Sequence, residues 1–471
     1  MDFLRRKLLQ ISTFGLALSM FPPLRLQALK SYSVTERSLT ASPNIVLIMV
    51  DALRSDHLSF HGYLRDTTPN LNRWMAQEGI DFPHTFSTAP WTYPANASIL
   101  SGLLPSLVGA SWNFSTNPID EHVQLLAQYL HKEGYQTAGF VTPYVFQKRF
   151  GFGRGFDHYD DSLTTRPTSN KGTAHEVNQL ALDWLFANRT LNSTQPLFLY
   201  LYHFDPHSWY NAPSPYSDLY DPTYQGELTA EIYKDGQDTT EGKLALTERD
   251  KAHLIALYDG EIAYWDNEFG RFMTNLEQNG FLQNTLIVVC GDHGEMFGEH
   301  NCWVHGSMLY DEVLRVPLLM RYDGVINKGN TFSHRVQNMD VLPTLLAYAN
   351  VAIPESLHGL NLRPWIEDPQ KEYERIIFSE VGGNSDLWFA PNNPIHAIRK
   401  DEWKLIRQFN DSLTSELFRP ENASIFEVED EVLKYPEIVN QLTRILTSQF
   451  FPYPVSLPLL HYGSSIASSR S

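Results

Sequence analysis

The stretch GDHGEMFGEH (291–300) sets a carboxylate, Asp292, beside an imidazole, His293, in a glycine-rich turn that follows the apolar run TLIVVC. A neighbouring carboxylate and imidazole are competent ligands for a divalent cation, and the imidazole tilts the choice from calcium toward zinc or manganese. By itself such a pair also fits a helix cap. Asp51 adds a second carboxylate at the end of another apolar run, NIVLIMVD (44–51). Two carboxylates and an imidazole at one sheet edge repel or stay unsatisfied without a cation. Asp51, Asp292 and His293 are therefore read as ligands of one divalent metal ion, zinc or manganese ahead of calcium.

Thr92 lies in APWTYPANASILSG, where small and apolar residues run from a proline, Pro94, to a glycine, Gly102. If Thr92 or Tyr93 is the N-cap, Pro94 falls in the first turn, where its missing N–H is harmless. In one reading the Thr92 hydroxyl caps the helix. In the other, the helix N-terminus receives an oxyanion, and a metal-activated Thr92 hydroxyl is the nucleophile. This stretch alone leaves both open.

The histidines divide in a similar way. His207 follows Asp205-Pro206 at the end of PLFLYLYHFDPH, placed to protonate a leaving-group oxygen or bind its anion, or else simply held by Asp205. His203 and His300 read as supporting groups. Asp56 and His57 either bracket the metal or, for Asp56, cap a helix. Trp91, Tyr93, Trp209 and Tyr210 form an aromatic rim or, as aromatics more often do, pack in the core.

These residues need a frame. From Asn44 the chain alternates apolar strands with amphipathic helices, as in AHEVNQLALDWLFANR before PLFLYLYHFDPH. The pattern predicts a large, mostly parallel sheet flanked by helices on both faces. Asp51, the 203–207 cluster and Asp292/His293 then fall at the carboxyl ends of strands, where such folds collect their sites. After Asn361, RIIFSEVGG, HAIRKDEWKLIRQF and EIVNQLTRILTSQF predict a small antiparallel sheet closed by a helix. The expected division is a catalytic domain over 43–362, an α+β subdomain over 363–460 and a disordered tail over 461–471.

A net charge of −18 with no basic block beyond the N-terminus argues against nucleic-acid binding. It leaves room for an anionic ester substrate, provided a local positive centre such as a metal receives it. The two cysteines, Cys290 and Cys302, are too few for a disulfide framework and read as small buried hydrophobes. MDFLRRKLLQISTFGLALSMFPPL has the charged start and short apolar run of a signal peptide, assigned to residues 1–30. Its RRKLL run resembles a twin-arginine export signal, although Leu4 replaces the usual Ser or Thr. This predicts an exported protein, periplasmic or extracellular, with no stable membrane span once the signal is removed. The sequence does not fix the oligomeric state.

The region 44–449 resembles the sulfatase family of the alkaline phosphatase superfamily. The resemblance rests on NIVLIMVDALRSDHLSFHGY, TTPNLNRWMAQEG, WTYPANASILSG, YHFDPH, GDHGEMFGEH, HGSMLYDEVLRVP and MDVLPTLL. It implies that Asp51, Asp292 and His293 bind the metal, that Thr92 holds the nucleophile position, and that Asn96, His207 and His305 line the substrate site. Sulfatases carry C/S-x-P-x-R at the nucleophile and oxidise its first residue to formylglycine. Here the stretch is Thr92-Tyr93-Pro94-Ala95-Asn96, without the oxidisable residue or the arginine. Ala52 stands in place of a second aspartate, His305 where a lysine is frequent, and Asn338 where relatives often carry histidine. Threonine at this position resembles the phosphodiesterase, phosphonate-hydrolase-like and phospholipid-headgroup transferase branches.

A formylglycine hydrate releases sulfate by elimination across its second hydroxyl. A threonine ester has none, so water or an acceptor alcohol must attack the central atom again, a course familiar at phosphorus. The expectation is thus a metal-dependent hydrolase forming a covalent Thr92 ester, on phosphorus ahead of sulfur. The alternatives are a transferase to a lipid or glycan alcohol, and a pseudoenzyme acting as a binding module.

Overall fold

The structure, a computed structural model, describes residues 42–109, 118–166, 171–191, 193–233, 236–240, 242–382, 393–408, 414–420, 427 and 429–450. The expected signal segment (1–30) and tail (461–471) lie outside these. No described helix is long and apolar enough to cross a membrane.

Eight strands build the central sheet: β1 (Asn44–Val50), β2 (Ile80–Asp81), β3 (Gln136–Phe140), β4 (His158–Asp160), β5 (Leu197–His203), β6 (Thr285–Gly291), β7 (Leu318–Tyr322) and β8 (Asn330–Thr331). Their spatial order is β8-β2-β7-β6-β1-β5-β3-β4. β6, β1, β5, β3 and β4 run parallel, while β7 is antiparallel to both its neighbours, β6 and β2. The unbroken apolar character of β1 has a direct cause. Ile45, Leu47 and Met49 enter one core, and Val46, Ile48 and Val50 enter the other. A strand covered on both faces has no use for alternation.

The covering helices are α1 (Thr92–Ser101), α2 (Leu126–Lys132), α3 (Ala174–Asn188), α4 (Glu248–Gln278), α5 (Val341–Tyr348) and, near the C-terminus, α6 (Pro436–Phe450). Residues of α1, α2 and α5 join the first core, and those of α3 and α4 the second. On α4 the buried stripe Leu254, Tyr258, Ile262, Trp265, Phe269 and Phe272 keeps the three-and-four spacing of one helical face. Both α3 and α4 begin on a capping box, Thr173 with Glu176 and Thr247 with Asp250.

The chain beyond Arg363 forms a four-stranded antiparallel sheet, β9 (Ile377–Val381), β10 (Ile395–Lys400), β11 (Trp403–Gln408) and β12 (Ser415–Phe418). One face packs Ile398, Leu405 and Leu417 on Val439, Leu442 and Leu446 of α6. The other meets Leu309, Tyr310, Val313 and Leu314, the segment that follows the metal loop. At that junction Arg399 and Lys404 reach buried Asp311 at 2.5–2.7 Å.

Candidate active site

Strands β6, β1 and β5 are neighbours, so their carboxyl ends bring three loops together. Asp51 follows β1, and its N–H donates to the His203 carbonyl of β5 at 3.0 Å. Asp292 follows β6, and its N–H donates back to Val50 of β1 at 3.3 Å. Helix α1 is aimed at the same point. Trp91, in extended conformation, is its N-cap, so Thr92 is the first helical residue and its hydroxyl is not the cap. Gly102 ends the helix at φ 69°, a left-handed turn that suits glycine.

The freed Thr92 hydroxyl turns into the site. Its Oγ1 lies 3.2 Å from His293 Nε2 and 3.5 Å from Asp51 Oδ1. His293 Nε2 is 3.2 Å from Asp51 Oδ1 and 3.7 Å from Asp292 Oδ2. His293 Nδ1 donates to the Gly294 carbonyl at 2.8 Å, which turns Nε2 toward the carboxylates. Asp292 Oδ2 accepts from Tyr202 Oη at 2.7 Å, and Oδ1 accepts from the backbone N–H of His293 at 2.7 Å. Asp51, Asp292 and His293 are all fully buried, and Asp51 Oδ2 has no hydrogen-bond partner.

Burial, reinforced by nearby Asp292, pushes the Asp51 carboxyl up to about 7. Burial opposes charge on His293, yet Asp292 and Asp51 outweigh it and push the ring up to about 9. Excess negative charge is thus built into the cluster. An orphaned carboxylate oxygen, two carboxylates and an imidazole turned toward them fit a divalent cation. One ligand atom from each of Asp51, Asp292 and His293 lies within 4.8 Å of the others.

His207 and His305 stand at the partly exposed side of this cluster. The His305 ring lies 4.4 Å from that of His293 and 4.9 Å from that of His207. His207 Nδ1 donates to the Ser208 carbonyl at 2.6 Å, and His305 Nδ1 donates to Glu295 Oε1 at 2.9 Å. Burial, then mutual repulsion with neighbouring imidazoles, holds both rings well below the ordinary histidine range.

A match to the family described as Sulfatase spans residues 43–351. The chain belongs to the sulfatase family. It is a hydrolase of sulfuric or phosphoric esters. A second family match, N-sulphoglucosamine sulphohydrolase, C-terminal, spans 298–449. The arylsulfatase of Clostridium perfringens (strain 13 / Type A) is 28 % identical over 414 residues, covering 74 % of this chain and 86 % of its own. The choline-sulfatase of Rhizobium meliloti (strain 1021) is 26 % identical over 418 residues, with 78 % of each chain covered. In fold, a protein solved with its substrate D-glucosamine-2-N,6-O-disulfate superposes with TM-score 0.72 at 21 % identity, over 87 % of this chain and 97 % of that one. The phosphonate monoester hydrolase of Agrobacterium radiobacter superposes with TM-score 0.70 at 20 % identity, over 86 % and 95 %.

Within this sulfatase-family frame the departures acquire physical roles. Asn96, one turn along α1, is fully buried. Its Nδ2 donates to Asp292 Oδ2 and to the Thr92 carbonyl, both at 2.9 Å. Both amide N–H groups are thereby engaged, and Asn96 is a positioning residue for Asp292. Ala52 takes φ 55°, which turns its N–H to Asp292 Oδ1 at 3.2 Å. Asn338 Nδ2 donates to the Asp292 carbonyl and to Ser87 Oγ, both at 3.1 Å.

Other residues resolve to supporting work. Asp56 pairs with Arg54 and His57 with Asp259, so neither brackets the cluster. His203 sits between Asn178 and Trp265, and His300 faces Glu312 while stacking on Tyr310. Trp91, Tyr93 and Tyr210 are buried rather than a rim, and Tyr210 Oη donates to Glu295 Oε2 at 2.8 Å. Asp205 does not hold His207. It accepts from the Ala174 N–H at 2.6 Å and faces Lys171, whose Nζ donates to the His207 carbonyl at 2.7 Å. Lys171, Glu295 and Tyr202 escaped the sequence reading; Glu295 and Tyr202 had a signal, their places inside GDHGEMFGEH and YHFDPH, and Lys171 had none.

Proposed function

We propose that this chain hydrolyses a phosphate-type ester, with sulfate esters second, through a covalent Thr92 intermediate. Asp51, Asp292, His293 and Thr92 Oγ1 would hold one divalent metal ion, zinc or manganese ahead of calcium. When bound, the ion supplies positive charge that acidifies the Thr92 hydroxyl and stabilises the equatorial oxygens of the transition state. The observation carrying the reading is the Thr92 hydroxyl, turned away from capping and toward Asp51 and His293.

In the first step Thr92 Oγ1 forms a bond to phosphorus as the bond to the leaving oxygen breaks. The Thr92 proton passes to Asp51 Oδ1, the carboxylate oxygen 3.5 Å away. His207 commits Nδ1–H to the Ser208 carbonyl, which leaves its Nε2 for the substrate, and His305 donates its Nδ1–H to Glu295. Both rings are uncharged in the free site, and an anionic ester favours their protonated forms. A protonated Nε2 then delivers its proton to the leaving oxygen. In the second step water attacks phosphorus and gives a proton to that imidazole. The Oγ1–phosphorus bond breaks, and Thr92 recovers its proton from Asp51. The Lys171 bonds to the His207 and Trp209 carbonyls keep the His207 loop in register. The N-terminal segment supports export to the periplasm or beyond.

The test is metal content together with turnover of aryl sulfate, phosphate monoester, phosphodiester and phosphonate ester by the wild type and Thr92→Ala. The reading expects bound metal, fastest turnover on a phosphorus ester, and loss in Thr92→Ala. Preference for the sulfate, or undiminished turnover without Thr92, overturns it. Transfer of the group to an added alcohol in preference to water would make the chain a transferase.

A further inference from the structure

Apart from the metal cluster, a cavity of about 280 Å³ opens where the β10–β11 sheet borders the catalytic layer. None of its lining residues belongs to the site described above. Four arginines face it: Arg315, Arg335, Arg375 and Arg399. Two are neutralised from behind, Arg399 by Asp311 at 2.5 Å and Arg375 by Asp340 at 2.6 Å. The other two are not. Arg315 donates its Nε to the Pro83 carbonyl at 3.0 Å and meets no carboxylate among the described residues. The Arg335 guanidinium has neither a hydrogen bond nor an ion pair among them, although the residue is half-buried.

The carboxylates that share the cavity do not cancel this charge. Asp311 is already held by Arg399 and Lys404. Asp401 is engaged by Lys400 at 2.7 Å, and Glu374 is exposed and screened by solvent. The surplus is felt by His84 on the cavity wall. Burial, then Arg315, Arg335 and Arg399, push its imidazole down to about 4. Half-buried guanidinium groups with free N–H forks are matched by oxyanions, which accept from them in pairs.

We propose that this cavity is a second anion site, taking a tetrahedral sulfate or phosphate group, free or borne on a sugar, on Arg315 and Arg335. Its volume accommodates one tetrahedral anion. The Ser333 hydroxyl and His334 line the same opening and add polar groups at its mouth. The proposal is independent of the chemistry at Thr92.

Calorimetric titration of the metal-loaded full chain with sodium sulfate, at ionic strength held constant with chloride, tests it. Sodium phosphate and a monosaccharide sulfate form parallel arms, and the tighter arm identifies the source of the group. The expected result is a binding event that vanishes in Arg335→Glu and weakens by about tenfold in Arg335→Lys, while inhibition of turnover by sulfate stays unchanged. Ligand-free thermal unfolding checks that Arg335→Glu is folded; Arg335→Gln replaces it if it is not. Superimposable sulfate titrations of the wild type and these variants overturn the proposal.

Discussion

Thr92 is the first residue of α1, so Ala there preserves the helix and removes only the hydroxyl. Thr92→Ala should lower kcat by about 10³-fold or more, the scale of losing a nucleophile, while Thr92→Ser stays within about tenfold. Steady-state turnover of the best phosphorus ester checks both. Metal affinity carries its own signature. The ion takes Asp51 and His293 in their deprotonated forms, and these groups are pushed up to about 7 and about 9. Binding must displace a proton from His293 below about 9 and from Asp51 below about 7. Apparent affinity should therefore rise with pH from 6 to 9, most steeply below about 7. Metal titrations across that range check the slope, and a flat profile contradicts the ligand set. The grouping of Asp51, Asp292 and His293 was legible because each follows an apolar run that reads as a buried strand. What Asn96 does was not legible, because a side chain's hydrogen-bond partners depend on packing that spacing does not encode.

The loop after β5 shows how an element is held from a distance. Lys171, 7 % exposed, faces Asp205 and Glu261 at 3.3 Å each and ties the carbonyls of His207 and Trp209. Burial pushes the Glu261 carboxyl up to about 8 even with Lys171 beside it. Replacing Lys171 by Met leaves these carboxylates without their cation. It should destabilise the protein by about 3–5 kcal/mol, read in urea unfolding, and lower kcat through His207. The capping boxes at Thr173 and Thr247 could be read directly from sequence, because a local rule fixes partners three residues apart. No such rule joins Lys171 to Glu261, and from sequence Asp205 was only one alternative partner for His207. The antiparallel run of β7 escaped for a similar reason. An apolar strand such as LLMRY looks alike in either direction, and only its pairing with β6 decides.

At the scale of the whole molecule, the β9–β12 sheet is joined to the catalytic layer through a buried charge cluster on Asp311. Burial works against the Asp311 carboxylate, but Arg399 and Lys404 prevail and hold it down to about 2, against a usual value of 3.8. The folded state therefore binds fewer protons there than the unfolded chain does. This contribution is complete above about 3.8 and fades as pH falls toward about 2. Asp311→Asn should cost about 3 kcal/mol near neutrality and progressively less in that acid window, measured by urea unfolding at a series of pH values. The sheet covered by helices on both faces and the separate C-terminal sheet were visible in the order of apolar runs, while the charge cluster, assembled from residues about ninety positions apart, was not. The proposed reaction passes through one covalent bond, between Thr92 Oγ1 and phosphorus. Wild type mixed with a phosphorus ester, acid-quenched during turnover and weighed intact, should carry one added phosphoryl group that peptide mapping places on Thr92 and that Thr92→Ala lacks. An adduct on another residue, or full turnover by Thr92→Ala, would contradict it.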